Sequence, residues 1–261
     1  MSMFTSRDGT QIACETDGAG PALVLIHGTA ADHTRWAPVL PALRARFTVY
    51  ACDRRGRGAS GDGKSYAMER EFEDVASVVD GIDGPVDLLG HSYGALCSLE
   101  AATRAKNLRR LVLYEPPIPA GMPITPPGVI DRLQALLDAG DRDGVVWTFM
   151  REVPRVPRDQ LDHMRSLPAW QARVGAAGTI PRELRAHDRY TFAPEKFRDV
   201  KMPVLLLLGG ESPPFFRAAL ERVQEAIPSA RLVVLQGQQH AAIDTAPELF
   251  AREVIAFLAQ D

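Results

Sequence analysis

Gly90-His91-Ser92-Tyr93-Gly94 is the segment of this 261-residue chain whose residue types most directly suggest chemistry. Glycines two before and two after a serine let the chain turn sharply where larger side chains would collide. A strand-like run at 86–89 precedes the turn and helical periodicity over 95–105 follows it. Ser92 is then held out at the carboxyl end of a strand, with a helix N-terminus behind it whose free N–H groups favour developing negative charge. A serine hydroxyl is a weak nucleophile until a base takes its proton, so a histidine has to arrive from elsewhere in the fold. Of the six histidines, His27 and His91 lie beside glycines in strand-end turns and suit structural roles. His33, His163 and His187 fall in a loop or in the middle of the chain, where solvated or packing roles are expected. His240 follows the last strand-like run and precedes the final helical segment, where a base could reach Ser92.

Two other patterns carry less weight. Residues 58–65, GASGDGKS, match the phosphate-cradling G-x-x-x-x-G-K-[ST], and Gly56, Gly58 and Gly61 satisfy G-x-G-x-x-G. Either needs a strand running straight into the glycines and a helix starting at their end. Asp53-Arg54-Arg55 intervenes before the glycines, and helical periodicity resumes only near Met68. There is no H-E-x-x-H, and the acids and histidines are not clustered at ligand spacing, so neither metal nor cofactor is expected.

The elements around these residues alternate. Strand-like runs at 22–26, 47–51, 86–89, 110–114, 204–208 and 231–235 are separated by helical patterns at 35–45, 68–81, 95–105, 215–226 and 247–258. This predicts an α/β fold, a mostly parallel sheet with helices on both faces, after a leading hairpin around 7–16. The alternation stops between Pro116 and about Val200. That stretch is too long for a bare loop and carries helical patterns at 130–139 and 145–151. The expected organisation is a core of 1–115 and 201–261 with a helical cap of 116–200.

Composition sets outer limits. Thirty Lys plus Arg against 33 Asp plus Glu give a net charge of −3, without the basic surface that nucleic-acid binding requires. With 46% apolar and 24% charged residues the chain suits a globular protein with a sizeable core. No apolar run approaches the ~18 residues of a membrane span, and no secretory leader is visible, so a cytoplasmic protein without membrane association is expected. Cys14, Cys52 and Cys97 are odd in number and widely spaced, which argues for free thiols in a reducing compartment.

The elbow and the order of elements from about Ala22 onward resemble the α/β-hydrolase superfamily. So do His27-Gly28-Thr29 after the first core strand and Asp53-Arg54-Arg55-Gly56-Arg57-Gly58-Ala59-Ser60 after the second. The resemblance implies an oxyanion hole formed by the backbone N–H groups of Thr29 and Tyr93. It also implies a triad acid, and here the sequence departs from the usual pattern. Counting from Gly210, the position where the family commonly has aspartate holds Pro213. Glu211 is one substitute. The other is Glu115, 23 residues after Ser92 at the end of the next strand, a placement similar to that in haloalkane dehalogenases and zearalenone lactonases. Placement favours Glu115.

A serine nucleophile, rather than an aspartate, argues against dehalogenase or epoxide hydrolase chemistry. The expected activity is hydrolysis of carboxylic esters or lactones of apolar small molecules by a monomer or homodimer, through Ser92, His240 and Glu115. Trp147, Phe149, Met150 and Phe215 are the candidate substrate-binding residues. Carbon–carbon bond hydrolysis, hydroxynitrile lysis, and ligand sensing with slow turnover are the alternatives, because a fold does not fix a substrate.

Overall fold

A computed structural model describes residues 1–167 and 169–260. Eight strands form one sheet: β1 (Ser2–Thr5), β2 (Gln11–Gly18), β3 (Ala22–Ile26), β4 (Thr48–Cys52), β5 (Val86–His91), β6 (Leu108–Tyr114), β7 (Val204–Gly209) and β8 (Arg231–Leu235). Their order is β1-β2-β4-β3-β5-β6-β7-β8, antiparallel for the first two pairings and parallel from β4 onward. Alternate residues face opposite layers, as the two-residue repeat of a strand requires. Val24, Ile26, Leu88, Leu111, Leu113 and Leu206 join one apolar cluster. Leu23, Leu25, Leu89, Val112, Leu205 and Leu207 join the other. Both faces are covered, which is why these strands read as continuous aliphatic runs rather than as alternating patterns.

Strand order places the reactive end. β3 lies between β4 and β5, so the chain leaves β3 to one side and then crosses to the other, opening a crevice at the carboxyl ends of those strands. The parallel register aligns Ile26 with Gly90, His91 with Tyr114, and Tyr114 with Leu207. The loop after β3, Ser92 and Glu115 therefore emerge side by side on one edge.

Between β6 and β7 the chain forms helices Val129–Asp138, Arg142–Glu152, Arg158–Ser166, Ala169–Ala176 and Ile180–His187. They close over the crevice, and their apolar faces join the first cluster. Three of the five have no counterpart in the sequence reading. Arg158–Ser166 buries only Leu161, so its pattern is nearly all polar. The helix expected at 35–45 is instead a 3₁₀ turn, His33–Trp36, and a short helix, Leu40–Arg44, with Pro38 between them. Among the described residues no helix is long and apolar enough to cross a membrane.

The cysteine reading is corrected. Cys14 and Cys52 stand directly opposite each other in the β2–β4 register and form a disulfide, while Cys97 is free and buried. Strand register joins residues 38 apart, and neither spacing nor an odd count reveals register. A disulfide persists most readily in an oxidising setting, so the cysteines no longer argue for a reducing compartment.

Candidate active site

Ser92 has φ 55° and ψ −126°, a conformation that costs a non-glycine residue roughly 1–3 kcal/mol and has to be imposed by its surroundings. Its N–H donates to the Tyr114 carbonyl at 2.8 Å, and its own carbonyl accepts from Ala95 and Leu96 as the helix Tyr93–Ala101 begins. A Cβ on Gly90 would lie 2.6 Å from the Ala95 Cα, and one on Gly94 would run into the carbonyls of Ile26 and His27. The two glycines thus permit the elbow to pack against its own helix and against β3.

Glu115 directly follows β6, also at positive φ (48°), and is fully buried. Its Oε1 accepts from the Gly209 amide at 2.7 Å, and its Oε2 lies 2.5 Å from His240 Nδ1. Glu211 instead sits exposed, its amide donating to the Gln238 carbonyl. The loop carrying His240 is fixed from beneath. The Tyr114 hydroxyl donates to the Gln239 carbonyl and accepts from the Ala242 amide, while His91 Nε2 donates to the His240 carbonyl at 3.1 Å. Phe216 stacks on the imidazole with centroids 4.3 Å apart. Burial, with His240 and Arg35 nearby, holds His91 well below the ordinary histidine range, so it is a neutral donor. Tyr114, His91 and Phe216 hold the imidazole in place; the structural role expected of His91 fits this, whereas Tyr114 has no site role in the sequence expectations. Adjacency to Glu115 was the available signal for Tyr114.

Ser92 and His240 line one cavity together with Gly28, Thr29 and Tyr93. Ser92 Oγ has no protein hydrogen-bond partner among the described residues, and neither do the backbone N–H groups of Thr29 and Tyr93. His27 sets the Thr29 turn. It is fully buried, which drives its pKa well down; its Nδ1 donates to the Gly28 carbonyl at 2.8 Å and its Nε2 accepts from the Arg54 amide at 3.1 Å.

Behind Thr29 lies a buried ionic cluster. Arg54 makes a two-pronged contact with Glu71, 2.7 Å on each prong, and reaches Glu183 at 3.0 Å. Arg57 also donates to Glu183, which in turn accepts from the Thr29 hydroxyl. Helix Ile180–His187 turns Glu183 inward on the face that also buries Ile180, Leu184 and His187, matching the three- and four-residue helical repeat. Tyr66 donates to Glu71 at 2.7 Å and meets the Tyr93 hydroxyl at 3.0 Å.

Most of the cavity wall is apolar. Of the sequence candidates, Phe149, Met150 and Phe215 line it, as does Phe216. Trp147 does not. The helix Arg142–Glu152 turns Val145, Val146, Phe149 and Met150 inward, leaving Trp147 on its flank beneath the Arg165 guanidinium, 5.4 Å from the ring centroid. Arg35, Arg173 and Asp244 line the cavity as well, and no linear pattern points to them.

The family model described as "Alpha/beta hydrolase family" matches residues 23–253. The chain belongs to the alpha/beta hydrolase family. A crystal structure of an alpha/beta hydrolase from Sphaerobacter thermophilus is 36% identical, superposing with a TM-score of 0.86 over 99% of this chain and 100% of that one. An esterase from a Rhodococcus species is 25% identical, with a TM-score of 0.80 over 99% and 98%. A 2-(acetamidomethylene)succinate hydrolase from Mesorhizobium japonicum is 27% identical over 255 residues, covering 92% of this chain and 89% of the relative.

In this alpha/beta hydrolase the glycine-rich loop after β4 wraps a carboxylate of its own. Asp53 Oδ2 accepts from the Ala59 amide at 2.8 Å, and a Cβ on Gly58 would strike that carboxylate. A phosphate group would compete with a fixed negative charge there. Although Asp53 is distant from them in sequence, Asp32, His33 and Asp53 bring potential ligand atoms within 4.8 Å of one another. Those atoms are engaged in the loop itself: Asp32 caps the 3₁₀ turn, and Asp53 Oδ1 accepts from the His33 amide and meets its Nδ1, both at 2.8 Å.

Proposed function

We propose that this hydrolase cleaves carboxylic esters or lactones by acyl transfer. His240 takes the Ser92 proton as Oγ attacks the carbonyl carbon, and the amides of Thr29 and Tyr93 hold the resulting oxyanion. The imidazolium gives its proton to the departing alcohol oxygen, leaving an acyl-enzyme. Water, deprotonated by the same imidazole, then releases the carboxylic acid and restores Ser92. Glu115 keeps Nδ1 protonated, so that Nε2 is the nitrogen free to act as base. It also offsets the charge of the imidazolium. The helices between β6 and β7 serve as a cap that supplies apolar walls.

The observation that carries this reading is the 2.5 Å contact between Glu115 and His240, at the wall of the cavity that Ser92 also lines. The esterase among the similar structures supports it, and the 2-(acetamidomethylene)succinate hydrolase supports hydrolysis as the reaction class, its named substrate carrying an acetamide rather than an ester. A panel of p-nitrophenyl esters of increasing acyl length, together with simple lactones, tests it. Turnover is expected in the wild type, with covalent labelling of Ser92 by a fluorophosphonate. Ser92→Ala is expected to lose both while keeping its circular dichroism spectrum. Ester turnover that survives in the folded Ser92→Ala protein would remove Ser92 from the mechanism.

A further inference from the structure

Arg173 occupies a position that the acyl-transfer scheme does not use. It lies on helix Ala169–Ala176 and faces the same cavity as Ser92 and His240. A guanidinium has five N–H donors. Among the described residues, that of Arg173 makes one hydrogen bond, from Nη1 to the Ala30 carbonyl at 3.1 Å, and meets no carboxylate at ion-pair distance. Arg173 is half-buried, and the fully buried arginines differ from it. Arg54 meets Glu71 and Glu183, Arg55 meets Asp74 and Asp8, and Arg57 meets Glu183. Arg35, beside Arg173 on the cavity wall, is bonded to Asp244 at 2.6 Å.

Two guanidiniums and one carboxylate therefore face this cavity beside the imidazole, leaving a net positive charge in a mostly apolar wall. A cation taken from water without a counter-charge is costly. The cost shows in Arg173, whose pKa is pushed down to about 10 by burial and then by the neighbouring Arg35, which together outweigh the opposite pull of Asp244 and Asp32. A ligand carboxylate would reverse both effects, and a guanidinium matches a carboxylate with paired N–H donors.

We propose that Arg173, supported by Arg35, binds a carboxylate carried by the substrate, so that the preferred substrates are esters or lactones bearing a second, free acid group. This rests on the acyl-transfer reading for the bond that is cleaved. The location suits it: Ala30, which accepts from Arg173, adjoins Thr29 of the oxyanion side, and Asp244 lies four residues beyond His240. A carboxylate on Arg173 would orient the scissile carbonyl between those two sides, while the apolar wall takes the connecting chain.

The test separates anion binding from catalysis. Calorimetry on the wild type is run with adipate, a non-hydrolysable dianion, and with adipamide, its neutral counterpart. Adipate is expected to bind more tightly, and Arg173→Met to weaken adipate by roughly tenfold or more, the loss of a charge-assisted hydrogen bond, with partial recovery in Arg173→Lys. Thermal melts identify any variant that fails to fold, and Arg173→Gln provides a second neutral replacement. In the turnover arm, kcat/KM is compared for mono-p-nitrophenyl adipate and its neutral methyl ester. The anionic-to-neutral ratio is expected to exceed one and to drop about tenfold in Arg173→Met. Equal binding of adipate and adipamide, absence of binding by either, or a ratio that residue 173 does not move would overturn the proposal. Absence of all turnover and of fluorophosphonate labelling would sink the acyl-transfer reading instead, and the calorimetry would still decide the anion site.

Discussion

The Glu115 carboxylate is divided between two partners, one oxygen on the Gly209 amide and the other on His240 Nδ1. The first bond aims the second, because an acid anchored to β7 cannot follow the imidazole if that ring swings away. Replacing the carboxylate by an amide keeps the volume but removes the charge and puts an N–H donor where Nδ1 needs an acceptor. Glu115→Gln is therefore expected to lower kcat on a p-nitrophenyl ester by about 10²–10⁴ with the fold retained. Glu211→Gln, made on an exposed loop acid, should stay within about twofold. Steady-state kinetics on the two variants decide between them, and the reverse ranking would move the acid to residue 211. This site was legible in the sequence to different depths. Ser92 is marked by glycines within two positions, a signal contained in five residues. Glu115 required the inference that consecutive parallel strands end side by side. Tyr114 was marked only by its place beside Glu115, and Arg173 not at all, since which helix and which loop face the cavity is decided by packing rather than by neighbours in the chain.

Elements show the same division between local and distant causes. The buried parallel strands were recoverable because each is a short aliphatic run bounded by turn residues. The helices over the crevice were less so. Arg158–Ser166 has one buried side chain and Ile180–His187 spends two of its inward positions on Glu183 and His187, so their patterns look solvated. Long-range pairing was the hardest to see, and the Cys14–Cys52 bond joining β2 to β4 is its sharpest case. The bond lies one residue before Asp53, whose carboxylate accepts from the amides of Ala59 and His33 and whose backbone carbonyl accepts from the Ser60 hydroxyl. Closing a loop of this length removes unfolded-chain entropy worth about 4 kcal/mol on the polymer estimate, and measured values commonly fall near 2–4. Cys14→Ser, or reduction of the wild type, is expected to lower urea-unfolding stability by about that amount. Unchanged unfolding midpoints with and without reductant would show that the bond does not constrain the unfolded chain.

Across the whole molecule, the part of the chain between β6 and β7 is tied to the core by buried ion pairs as well as by apolar packing. Glu183 comes from those helices, Glu71 from the helix Met68–Asp80, and Arg54 and Arg57 from the loop after β4. Two cations and two anions balance, which is what makes their burial tolerable. Removing one member strands the others, at a cost of about 3–5 kcal/mol. Burial alone would raise the Glu71 pKa, but Arg54 and Arg57 outweigh it and hold the acid at about 2, against an ordinary value of 4.5. A folded-state pKa below the unfolded one means that the unfolded chain binds the proton more readily. The stabilisation is then complete above pH 4.5 and is lost as pH falls from there through 2, by on the order of 3 kcal/mol in all. Glu71→Gln should thus be less stable than the wild type at pH 7, and its stability should fall less steeply between pH 4.5 and pH 2. Urea unfolding at several pH values across that interval measures both slopes. Parallel slopes in the two proteins would mean that Glu71 is not the group whose protonation costs the fold stability in that interval.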